Sequence, residues 1–230
     1  MKQKYILPIS IIILIISSFS CNKIEFKDRI KEGYIEYNIE YLDDTLDRFM
    51  KGLLPKKMIV KFKDNNTLNK IESLSGIISF THIQNARDKK TITLVKILNK
   101  KYKYSEKIDE SSLFFEDIPG IKIEPVNEIK NVAGLNCQKA LVTIPNSDVE
   151  PFYIFYTNDI IIHKPNANTP FRSLDGVLLE FQLKLYNMDM KLTANKIVET
   201  NVDNDEFKIP DGYVPINRVT MEKILTTLKK

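Results

Sequence analysis

Two cysteines, two histidines and thirty scattered carboxylates are what this 230-residue chain offers for chemistry. The most informative of them is Cys21. Lys2 and Lys4 give a positive start, and Tyr5 to Ile16 forms an apolar run. Ser18-Phe19-Ser20 then places small residues at −3 and −1 of a cut, directly before the cysteine. That order is the grammar of a signal peptide. A Cys immediately after the cut calls for thiol acylation, after which Cys21 becomes the new N-terminus. Ser18 stands where a Leu-like residue is usual. Ordinary secretion with a free Cys21, or an uncleaved anchor, are the other readings. The apolar run is short of the roughly 20 residues that a spanning helix needs.

Cys137 is the other thiol. With Cys21 acylated it has no partner, and in a disulfide-permissive compartment it is expected to be buried in a strand. Without acylation, a Cys21–Cys137 bridge would be open. A nucleophilic Cys needs a base, and only His82 and His163 are present, neither in a protease-like setting. His82 lies in a predicted strand as a surface or half-buried residue. No CxxC or HExxH supplies zinc-ligand spacing. Leu74-Ser75-Gly76 lacks the glycine two positions before the serine that a nucleophile elbow has. There is no glycine-rich phosphate loop, and glycine numbers only seven. The residues therefore point away from an enzyme and call for no metal or cofactor.

Removing Lys2 and Lys4 lowers the formal net charge from +4 to +2, too little for a nucleic-acid footprint. Lysines are spread along the chain, with no polybasic arm. No Pro/Gly/Ser linker or repeat divides it. The expected organisation is a signal peptide over residues 1–20, a lipidated tether over 21–31, and one domain over 32–230.

The elements that must position these residues are mostly strands, because the dominant pattern is period-two alternation. Ile35, Tyr37, Ile39 and Tyr41 alternate with Glu36, Asn38 and Glu40. Met58, Val60 and Phe62 alternate with lysines and Ile59, and Asp64-Asn65-Asn66 follows as a turn. Further strands are expected at Ile77–Ile83, Thr91–Leu98 and Lys101–Tyr104. The clearest hairpin joins Leu179–Leu185 to Met188–Ala194 through Tyr186-Asn187. It puts about seven large apolar side chains on one face, each worth roughly 1.5–3 kcal/mol when buried. Phe152 to Tyr156 is apolar or aromatic on both sides, as is a central strand covered on both sides or a strand with one side lining a cavity. Helices are few. Leu42, Leu46, Phe49, Met50 and Leu53 form one apolar stripe ended by Gly52 and Pro55, and Thr220–Leu228 forms another.

Five pieces in order carry a family likeness. Ala133-Gly134-Leu135-Asn136-Cys137-Gln138-Lys139-Ala140 resembles the "aGy.C.Ka" strand of a family of bacteroidete-type envelope lipoproteins related to GLPGLI-type proteins. Phe155-Tyr156-Thr157-Asn158-Asp159-Ile160 is similar to its "WYT.eI", and Leu174-Asp175-Gly176-Val177-Leu178-Leu179-Glu180 to its "LpGl.LE". Thr193-Ala194-Asn195-Lys196-Ile197 and Phe207-Lys208-Ile209-Pro210-Asp211-Gly212-Tyr213 resemble its closing segments. The likeness covers roughly Val132 to Pro215 and the strand at Gly33. Asp175 and Leu135-Asn136 depart from the pattern. The resemblance implies the fold of periplasmic lipoprotein carriers: a curved antiparallel sheet or incomplete β-barrel, with helices covering its concave, apolar side. It implies no catalytic residues.

The expected protein is thus mainly β, non-enzymatic, and held at the cell envelope by a lipid on Cys21. Asn22 in place of a retaining aspartate favours the outer membrane. An apolar ligand, such as an acyl chain or a lipoprotein's lipid, would leave water for a concave wall of Phe152, Ile154, Phe181, Leu183 and Met190. The two methionines suit an adaptable surface. The other expectations are a scaffolding lipoprotein with a packed core, working through contacts with an envelope protein partner, and third a hydrolase built on a carboxylate pair that no motif marks.

Overall fold

The computed structural model describes residues 29–43, 52, 54–73, 75–108, 118, 120–147, 149–167, 169–185 and 188–227. Cys21 and the signal segment lie outside them, as does nearly all of the helix expected at Leu42–Leu53.

The alternating segments form twelve strands: β1 Glu32–Tyr41, β2 Lys57–Lys63, β3 Asn66–Glu72, β4 Ile78–Asn85, β5 Lys90–Ile97, β6 Lys100–Lys107, β7 Lys122–Val132, β8 Leu135–Thr143, β9 Phe152–Thr157, β10 Val177–Leu185, β11 Met188–Glu199 and β12 Val214–Pro215. They make one open, curved sheet in the order β12-β6-β5-β4-β3-β2-β1-β11-β10-β9-β8-β7. Every pairing is antiparallel except the short β12–β6 edge. The expected hairpin is β10–β11, with Phe181 opposite Leu192 and Leu183 opposite Met190. Phe152–Thr157 is an interior strand between β8 and β10, which explains why both of its sides are apolar or aromatic. β3 and β7 escape the alternation rule. β3 reads Asn-Thr-Leu-Asn-Lys-Ile-Glu, and β7 is an edge strand carrying Pro125 and an irregularity between Val126 and Ile129. Proline and bulges at an edge blunt it against further pairing.

Opposed residues of antiparallel strands share a face, so the register divides the sheet into two sides. Tyr37, Met58, Ile71, Phe80, Val95 and Tyr102 follow one another across β1 to β6 on the first side. Lys61, Leu68, Ile83, Ile92 and Ser105 follow one another on the second. The largest buried cluster lies over β1, β2 and β8–β11, with Phe62, Ile35, Ile154, Leu179, Met190 and Leu192 fully buried.

The expectation that helices cover the concave side is not supported. Among the described residues the one long helix is α1, Arg218–Thr227, close to the span expected at Thr220–Leu228. Its Met221 and Leu225 pack on Val95 together with Phe80, Ile97, Tyr102 and Tyr104, so it covers the first side only at the β4–β6 end. At the other end, the irregular chain between β9 and β10 contributes Ile160, Phe171 and Leu174 to the cover. This segment is fixed by hydrogen bonds from Asn166 Nδ2 to the carbonyls of Leu174 and Gly176, at 2.9 Å each. A buried side-chain amide can replace a helix's own ladder as the device that satisfies covering backbone.

The C-terminal segment explains how α1 reaches its place. After β11, Val202, Phe207, Ile209 and Tyr213 pack on Leu68, Ile83, Ile92 and Leu94, covering the second side. β12 then joins the β6 edge, and α1 lies on the first side. The chain's end therefore wraps around one sheet edge.

Candidate functional site

The five residues of the expected apolar wall are brought together. Phe181 and Leu183 lie on β10 and Met190 on β11, all on one side by register. Glu180 pairs with Phe155 on the opposite side, which leaves Ile154 and Phe152 of β9 on the side of Phe181. Ile154, Phe181 and Met190 are buried, and Phe152 and Leu183 are half-buried against the same cluster. The Phe181 ring is held edge-on by Tyr37 at 6.0 Å and Phe171 at 6.2 Å. Tyr37 is fixed in turn by its hydroxyl donating to the Leu178 carbonyl at 2.8 Å, and burial pushes its phenol well above the usual range. Edge-to-face aromatic pairs contribute about 0.5–1.5 kcal/mol beyond area burial.

Behind this wall, on the second side, Glu180 accepts from Lys130 at 2.6 Å and lies 2.9 Å from Lys191. Burial pulls its carboxyl upward, but the two lysines outweigh that and hold it below the usual carboxylate range. Lys130 also sits 4.6 Å from the Phe155 ring centre, and Lys139 sits 4.0 Å from that of Tyr153. These contacts use cations over aromatic faces as surface cover for the sheet.

Cys137 lies buried in β8 as a free thiol, in the kind of place expected. Desolvation pushes it up to about 11. A thiol so shifted is almost wholly protonated near neutrality and is a poor nucleophile.

A second constellation was missed by sequence reasoning. On the first side of β2–β6, the register aligns Phe62, Thr67, Gln84, Thr91 and Glu106 in one row. It aligns Val60, Asn69, His82, Thr93 and Tyr104 in the next. Thr67, Gln84, Thr91, Thr93 and Glu106 are all buried. In β5, alternation marks Ile92 and Leu94 as the core side and Thr91 and Thr93 as the solvent side. Burial of both sides of β5 depends on what packs over each side, which no local pattern reveals. The one available signal was a histidine and a glutamine continuing the side of β4 that Ile78 and Phe80 begin.

His82 is half-buried, with Nδ1 3.4 Å from Thr93 Oγ1, and desolvation pushes its imidazole down to about 4. The sign follows from proton binding. Between about pH 6.5 and 4 the unfolded chain takes up a proton that the folded chain refuses, so stability is full above 6.5 and falls as pH drops toward 4. The loss should be on the order of 2 kcal/mol, less than the full linkage value because the residue keeps some solvent contact. Urea unfolding of the wild type and His82→Gln from pH 4 to 7.5 checks this. The stability difference between them should change by that amount across the window, and a constant difference would refute it.

No group of three or more His, Cys, Asp or Glu residues that could hold a metal occurs among the described residues. No helix among them is long and apolar enough to cross a membrane. No protein-family model matches the chain, and no curated protein matches it.

Proposed function

We propose that the protein is a non-enzymatic envelope lipoprotein, anchored through an acylated Cys21, that binds an apolar or amphiphilic ligand on the first side of its open sheet. The family likeness read from Ala133 to Tyr213 and the lipoprotein-carrier fold it implies are part of this proposal, as is an outer-membrane location. The observation that carries it is the character of that side: two apolar clusters, one over β1 and β8–β11 and one under α1, with buried polar rows between them. Apolar surface with a few placed polar groups is what ligand sites are made of. A second reading, a scaffold with a packed core and a protein partner, is favoured by the close aromatic packing of Phe181.

Native mass spectrometry of full-length protein taken from its own membranes tests the proposal. A covalent diacylglyceryl mass is expected on the wild type and absent from Cys21→Ser. A non-covalent lipid adduct is expected as well, and it should be lost from Leu183→Gln while that variant stays folded. A wild type carrying the covalent adduct alone leaves the scaffold as the better account. A wild type without the covalent adduct removes the anchor.

A further inference from the structure

No basic arm runs along the sequence, yet the fold gathers a basic end from separate segments. Arg29 and Lys31 lead into β1, Arg87, Lys89 and Lys90 lie at the β4–β5 turn, and Lys164 lies in the β9–β10 connection. All six are exposed, and none makes an ion pair among the described residues. Hydrogen bonds stitch these segments together. Ala86 N donates to Asn66 Oδ1 at 3.0 Å, which ties the β4–β5 turn to the start of β3. His163 N donates to Asn65 Oδ1 at 2.9 Å, which ties the β9–β10 connection to the β2–β3 turn. Ile30 N donates to the Asp159 carbonyl at 2.7 Å and Ile161 N to the Ile30 carbonyl at 2.8 Å, which ties in the lead to β1. The carboxylates of the same segments are Asp64, Asp88 and Asp159, so cations are in excess. At the strand ends beside them Lys63 is paired with Glu32 at 3.0 Å, and Lys107 and Glu199 carry opposite charges.

We propose that this end of the sheet rests on a bilayer surface of anionic phospholipid, with the six cations against the head-group phosphates. The proposal rests on the Cys21 anchor given above and is independent of the apolar ligand. Chain length selects the end. The eight positions from Cys21 to Arg29 reach at most about 29 Å when fully extended. The ten residues of β1 run about 34 Å from Glu32 to Tyr41. A tether of that reach cannot pass back along β1 to seat the Tyr41 end on the membrane, whereas the end that begins β1 is held close to the lipid. The basic residues gather at that same end. Each Lys or Arg brought near an anionic leaflet adds attraction, and the attraction fades within a Debye length of about 10 Å. An acyl anchor and a basic surface are the two signals that together hold a protein firmly at a membrane. Seated this way, the strands stand up from the bilayer, and exposed Ile77 and Leu98 lie at the far end.

Lysine acetylation read by mass spectrometry tests this on the full acylated chain, inserted from outside into vesicles of phosphatidylcholine alone or with about one-quarter phosphatidylglycerol. Lys31, Lys89, Lys90 and Lys164 should react at least fivefold more slowly on the phosphatidylglycerol vesicles, and high salt should abolish the difference. Lys100 and Lys122, at the opposite end, should react alike on both. Arg87→Glu with Lys90→Glu should restore the reactivity of Lys31 and Lys164. Lys164→Glu, in a different segment, should restore that of Lys89 and decides the matter if the double variant does not fold. Equal rates on the two vesicles, with the diacylglyceryl mass present on the same sample, overturn the basic face and leave the anchor standing. Protection of Lys100 in place of Lys164 overturns it in favour of the opposite orientation. Protection in native membranes but not on phosphatidylglycerol vesicles overturns it in favour of an acidic protein partner. A chain without the diacylglyceryl mass removes the anchor, and this orientation with it.

Discussion

Gly33→Ala should destabilise the protein by on the order of 3 kcal/mol or more. Gly33 is the second residue of β1 and sits at φ 151°, a backbone angle that residues with a side chain rarely adopt. A methyl group placed there would collide with the backbone carbonyl of Val198 on β11. The collision is with main chain held in the sheet, so no side-chain rotation relieves it. Relief would require parting β1 from β11 at the register of Gly33 with Glu199 and Tyr34 with Val198. This seam joins the two halves of the sheet, because β1 is the link between β2–β6 and β7–β11. Urea unfolding followed by circular dichroism should show the midpoint falling with little change in slope. A loss below about 1 kcal/mol would mean that β1 shifts freely against β11, and that Gly33 is a matter of convenience there.

Phe181→Ala should cost about 3–5 kcal/mol if the wall on β9–β11 is packed core. Phe181 is buried, and its ring touches Tyr37 on β1 and Phe171 in the β9–β10 connection. Deleting it removes one of the contacts that hold that connection on the sheet and leaves a cavity between Tyr37 and Phe171. If a ligand enters at this wall instead, the side chains must yield to it, and the cost should fall below the range. Half-buried Leu183 beside it should cost less than Phe181 on either account. Unfolding free energies of Phe181→Ala and Leu183→Ala, with and without dodecanoate, separate the cases. A large ligand-independent loss for Phe181 fits the packed scaffold. A small loss, with stabilisation by dodecanoate, fits the binding protein.

The strand content and the main hairpin were legible because period-two alternation is a local consequence of pleating, and the chain alternates strongly at Ile35–Tyr41, Met58–Phe62 and Leu179–Ala194. β10 meets β11 in the register that a Tyr186-Asn187 turn implies, since Leu185 lies opposite Met188. The central place of Phe152–Thr157 was legible from its two apolar sides. So was a helix at the C-terminus, from the spacing of Met221, Ile224, Leu225 and Leu228.

What covers the sheet was not legible. The apolar stripe of α1 says that the helix must bury a face, but the target, Val95 with Phe80 and Tyr102, is decided by a chain that first crosses the other side at Val202 and Phe207. The cover over Phe181 comes from an irregular segment whose order depends on Asn166 and two distant carbonyls. The polar rows were hidden for the same reason. Thr91, Gln84 and Glu106 follow patterns that normally face water, yet all three are buried. Alternation reports only which side of a strand prefers to be dry. Whether the other side stays wet depends on contacts between residues more than a hundred positions apart, and only the tertiary structure sets those.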